Sequence, residues 1–140
     1  MSEHSTSYSP PGWCAISGDL YRRVLNREAV AIIKRDRKRG GSYQLKDALD
    51  AIHGAFHRSN GMYPYDGMAM DARGLATPLK SNQHWRTPMV GHRRMESIAD
   101  FEIFSNKTKQ AKGLLTVEDY IDHCRAVVLY EERCGRFRLE

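Results

Sequence analysis

Apolar residues recur with a helical period in two stretches near the start of the chain and in two near its end, with a punctuated stretch between. From Asp19 onward Leu20, Val24 and the run at residues 30–33 supply one apolar face, which predicts a helix running into Lys34-Arg35-Asp36-Arg37-Lys38-Arg39 before Gly40-Gly41. A second helix follows, with Ser42 as its cap. There Leu45, Leu49, Ile52 and Phe56 fall on one face with Ala48 and Ala55 beside them, the pattern of a helix buried along one side. Between Ser59 and Asp100 the turn formers Asn60-Gly61, Pro64, Asp66-Gly67, Gly74, Pro78, Pro88 and Gly91 predict short strands and turns. Helix returns with Ser105 capping a short segment that ends at Gly113. Thr116 and Asp119 approximate a capping box for a final helix. In that helix Val117, Tyr120, Ile121, Cys124, Val127 and Val128 form a stripe that is expected to lie in the core. No internal repeat is evident.

A chain of 140 residues with 41% apolar and 28% charged residues suits one folded domain. Within it residues 1–18 read as a flexible N-terminal tail, opened by a Ser-, Pro- and Gly-rich stretch. Residues 19–58 read as a helical region, and residues 59–140 hold the strands, turns and last helices. No apolar run approaches the ~20 residues that span a bilayer. The polar N-terminus lacks the apolar centre of a signal peptide, so no membrane partner and a cytoplasmic location are expected. Cys14, Cys124 and Cys134 are odd in number and widely spaced, which argues against a disulfide framework and against a cysteine zinc site.

The net charge of +5 favours an acidic partner, with nucleic acid the usual one. Five cations in the six residues 34–39 exceed what a helix dipole requires at its C-terminus. Lys34, Arg35, Arg37, Lys38 and Arg39 are therefore candidate phosphate contacts. His53 and His57 stand four apart on the second helix, the spacing of a paired metal site, but no third ligand stands nearby. Solvated helix histidines are the simpler expectation.

Three segments, Val90-Gly91-His92-Arg93, Asp100-Phe101-Glu102-Ile103-Phe104 and Lys109-Gln110-Ala111-Lys112-Gly113, together resemble the active-site half of an HNH nuclease. Met62-Tyr63-Pro64-Tyr65-Asp66-Gly67-Met68-Ala69-Met70-Asp71 is similar to the first hairpin of that domain, with Tyr63 standing where the family commonly has Cys. Residues 105–128 are similar to the helix and trailing capped helix of some phage and bacterial members. The resemblance spans residues 62–128. It implies an α+β fold with two N-terminal helices, a central ββα unit of HNH type and a C-terminal helix packed against it.

The resemblance also implies roles. His92 falls at the general-base position, where a neutral imidazole takes a proton from water, and Asp100 takes the place of the Asn that orients it. The family's metal-binding Asp is here Gly91, and the last ligand position is Lys109, whose ammonium repels a divalent cation. This degenerate pattern implies a nucleic-acid-binding protein, with DNA the first choice, whose metal-dependent phosphodiester hydrolysis is impaired or altered. If it cuts, the cofactor is Mg²⁺ or another divalent ion. A site rebuilt from His84 and His92 with Asp71 or Asp100 is the alternative. Arg93 and Arg94 with Lys107, Lys109 and Lys112 are expected to face one phosphate-binding groove. A competing expectation is a non-catalytic inhibitor or assembly factor, for example phage-encoded, that binds another protein on the same scaffold.

Overall fold

The structure, a computed structural model, describes residues 8–77, 79, 81–94 and 98–136. Pro78 and the first seven residues of the expected tail lie outside the described residues. Helix and strand are mixed in an α+β arrangement. Helices α1 (Gly18–Arg37) and α2 (Leu45–Ser59) come first, followed by a single helical turn α3 (Arg73–Ala76) and a 3₁₀ segment (Ser81–Arg86). Strands β1 (Pro88–His92) and β2 (Phe101–Ser105) then lead into α4 (Asn106–Lys112) and α5 (Val117–Arg133).

Ser17 opens α1 by accepting a hydrogen bond from the Leu20 N–H at 3.1 Å. The helix buries Tyr21, Val24, Leu25, Ala29, Ile32, Ile33 and, last on the same face, Asp36. Helix α2 begins at Gln44 rather than at Ser42, because the Asp47 carboxylate accepts from the Gln44 N–H at 2.9 Å. Its buried face is Ala48, Leu49, Ile52, Ala55 and Phe56, while Leu45 is exposed. The two helices meet through an edge-to-face contact between Tyr21 and Phe56, with ring centroids 5.7 Å apart.

The strands pair antiparallel, with Val90 opposite Ile103, Gly91 opposite Glu102 and His92 opposite Phe101. Alternation along β2 sends Phe101 and Ile103 into the core cluster that α1 and α2 complete. Arg58 at the end of α2 donates to the Phe101 carbonyl at 3.0 Å and ties that helix to the sheet. Part of the segment expected to be a flexible tail is packed as well. Tyr8 and Cys14 are buried, and the Tyr8 hydroxyl donates to Asp50 at 2.5 Å.

The C-terminal helix departs from expectation. Thr116 caps α5 by accepting from the Asp119 N–H at 3.1 Å, yet Val117 is the one buried residue of the helix. Ile121, Val127, Leu129 and Tyr130 are exposed. Beyond Val117, the stripe assigned to the core is therefore surface, and the core cluster is built from other elements, α1, α2 and the sheet among them. Among the described residues no helix is long and apolar enough to cross a membrane.

His53 gives the fold a pH dependence. Its Nδ1 lies 2.8 Å from the Tyr21 hydroxyl, and its ring packs 4.4 Å from that of His57. Burial, then the neighbouring His57, hold the imidazole below its ordinary value, with Asp50 opposing. As pH falls, the unfolded chain takes this proton first, near the free-histidine value of about 6.5. The stability His53 contributes is thus fully present above that pH and is lost as pH falls through the lower folded value. Unfolding free energy measured on both sides of this window should drop on acidification in the native chain and drop less in His53→Gln. Equal losses in the two would remove His53 as the cause.

Candidate nucleic-acid interface

Asp36 is the one carboxylate in the basic run at residues 34–39, and its position follows from helical spacing. Ala29, Ile32, Ile33 and Asp36 share the inward face of α1, so the carboxylate is carried into the protein while its cationic neighbours remain outside. It accepts a hydrogen bond from the Tyr43 hydroxyl, and its Oδ2 lies 2.8 Å from His92 Nε2. The approach is close but out of line with the ring N–H direction, and neither ring nitrogen of His92 has an aligned hydrogen-bond partner. The His92 side chain is 15% exposed. Both its nitrogens are covered, so what remains open is carbon. A general base must offer a nitrogen to incoming water, whereas this His anchors β1 to the end of α1.

Gly91 has a packing reason to be glycine. A Cβ placed there would lie 2.5 Å from Phe104 Cε2 and 2.6 Å from Cδ2. Phe104 is buried, and its ring stacks with that of Tyr65 at 5.8 Å. No side chain, and so no metal-binding carboxylate, fits at that position without moving the ring. Lys109 reaches back from α4 and donates to the Val90 carbonyl at 2.7 Å. Burial, and then Arg35, hold its ammonium below the ordinary value, with Glu28 opposing and Lys112 adding to the effect.

The residues offered for a rebuilt metal site do not meet. His84 lies on the 3₁₀ segment, with its Nδ1 2.9 Å from the Leu79 carbonyl that precedes the segment. Asp71 is taken up by Arg73 at 2.6 Å and approached by Arg86 at 4.0 Å; its hydrogen bonds from Arg73 keep its carboxyl below the usual range. Asp100 lies at the base of the hairpin loop, where its carbonyl accepts from the Arg93 N–H at 3.0 Å and its carboxylate faces Arg94 at 3.9 Å. Among the described residues no three His, Cys, Asp or Glu side chains gather as metal ligands. The residues at the family's metal positions do not fit a divalent cation.

The structure does bring cations together, although the grouping differs from the one read in the sequence. A groove of about 830 Å³ runs between the end of α1, strand β1 and the connector from α4 to α5. Arg35 lines it from α1, Arg39 from the turn that follows α1, Arg94 from the hairpin loop, and Lys109 and Lys112 from α4. Two of the expected members lie elsewhere. Arg93 pairs with Glu102 at 3.3 Å, and Lys107 sits 5.5 Å from the ring centre of Trp85. Lys34, Arg37 and Lys38 do not line the groove, because helical spacing turns them away from it. Isolated exposed cations are ordinary, but cations from three separate parts of the chain around one concavity concentrate positive potential where a phosphate can enter. Comparison with family models, with curated proteins and with solved structures returns no match for this chain.

Proposed function

We propose that this chain is a nucleic-acid-binding protein of HNH nuclease type whose phosphodiester hydrolysis is impaired. The observation that carries the reading is the convergence of Arg35 and Arg39 with Arg94, Lys109 and Lys112, all distant from them in sequence, on one groove. The order of β1, β2 and α4 agrees with the strand–strand–helix unit that the resemblance implies. The departures agree with lost chemistry: Gly91 has no room for a ligand, Lys109 brings a positive charge to the last ligand position, and the nitrogens of His92 are covered.

Binding to DNA should then weaken linearly in log–log terms as salt rises, since phosphate contacts release counterions. Plasmid incubated with the protein and Mg²⁺ should stay uncut, because water activation without leaving-group stabilisation forfeits several kcal/mol of barrier lowering. Salt-insensitive binding would contradict the interface. Strong Mg²⁺-dependent nicking abolished by His92→Ala would contradict the impaired chemistry.

A second reading rests on α5. Ile121, Cys124 and Val127 are exposed on one helical face, with half-buried Tyr120 and Val128 beside them, the kind of apolar surface that marks protein contacts. Salt-tolerant capture of a single protein partner, lost when these residues are made polar, would favour a protein-binding inhibitor or assembly factor over the nucleic-acid reading.

A further inference from the structure

We infer that the groove takes a single-stranded polynucleotide rather than a duplex, an inference that rests on the nucleic-acid reading above. The cations are only part of the lining. Leu114 and Leu115 also line the concavity, and they are exposed, Leu114 at 94%, while Ile32 and Val90 are buried at its floor. A duplex presents phosphates outward and keeps its base faces stacked. Proteins read it by inserting helices or ribbons into its grooves, so a duplex offers nothing to fill an apolar hollow. A single strand presents both chemistries at once. Its phosphates follow a cationic track while its unstacked base faces can cover exposed apolar side chains.

The dimensions agree. A groove of about 830 Å³ lies within the roughly 300–1,000 Å³ of clefts that enclose a compact ligand, which suits a few splayed nucleotides and is far too small to admit a double helix. Arg35 and Arg39 line it together with Lys112, Leu114 and Leu115. A strand laid along the groove keeps phosphates on Arg35 and Arg39 and turns bases toward the two leucines. The strand can be DNA or RNA, since the chemistry described so far is shared by both.

The test uses the whole chain and three labelled probes: oligothymidylate, oligouridylate and a DNA duplex, each about 12 units long, within the ~4–16 nucleotides that such grooves track. One or both single strands should bind at least tenfold more tightly than the duplex at the same salt, and the two single-strand arms separate DNA from RNA. In the double variant Leu114→Ser, Leu115→Ser single-strand affinity should fall about tenfold. Its salt slope should be unchanged, since no cation is removed. Both leucines are exposed, so the variant should fold as the native chain does, and an unchanged melting temperature checks it. Duplex binding as tight as single-strand binding, or a leucine variant with wild-type affinity, would overturn the inference while leaving nucleic-acid binding intact. Failure of all three probes to bind would overturn the reading beneath it.

Discussion

Gly91→Asp, which places there the carboxylate that the proposed HNH reading expects of a metal ligand, should unfold the hairpin region instead of creating a nuclease. The new Cβ would stand 2.5 Å from the Phe104 ring, and Phe104 is buried at 1% exposure, so the ring can retreat only by displacing its neighbours. Overpacking of this kind costs about 1–3 kcal/mol, and a carboxylate placed at a buried position costs several more unless it is paired. The variant should therefore lose at least ~3 kcal/mol of stability, read as a shift of the urea midpoint, with Gly91→Ala losing a smaller part of that. A Gly91→Asp protein that melts with the native chain and nicks plasmid in Mg²⁺ would show that the glycine is a lost ligand and not a packing requirement.

The parts of the fold that were legible in the sequence are those in which one local period decides the outcome. Helix α2 could be read because Ala48, Leu49, Ile52, Ala55 and Phe56 repeat at helical spacing between polar residues, and all five are buried. The caps at Ser105 and Thr116 were legible for the same local reason. Helix α1 was harder. The run Ala29-Val30-Ala31-Ile32-Ile33 is apolar all round, so the sequence did not distinguish Val30, which is half exposed, from Ala29 and Ile32, which are buried. In α5 the stripe was read correctly as a stripe, but periodicity states only that one face is apolar and not what covers it.

The groove depends on long-range packing, and local reading divided it wrongly. Arg93 and Arg94 are neighbours in sequence, yet one pairs with Glu102 and the other lines the groove. Two clusters judged separately, residues 34–39 and the cations after His92, become one surface only when His92 and Asp36 bring β1 against α1. A signal for Asp36 was present. Its spacing from Ala29, Ile32 and Ile33 places an acid on the buried face of a helix whose other terminal residues are basic, and a buried acid requires a partner.

The largest functional effect is expected from removing the groove's cations together. Arg35, Arg39, Arg94 and Lys112 come from three parts of the chain, and each replaced by Ala removes a charge without opening the core, because none is buried. Loss of four charge-assisted phosphate contacts should weaken nucleic-acid binding at low salt by roughly a hundredfold or more. It should also flatten the slope of log affinity against log salt by about 3 units, at ~0.7–0.9 per contact. Lys34, Arg37, Lys38 and Lys107 replaced by Ala provide the control, since this variant carries the same net charge while the groove keeps its lining. The decisive measurement is therefore a salt titration of nucleic-acid affinity for these two variants side by side: collapse of affinity and slope in the groove variant with near-native behaviour in the control is the predicted result, and equal losses in both would show that overall charge, not this groove, holds the nucleic acid.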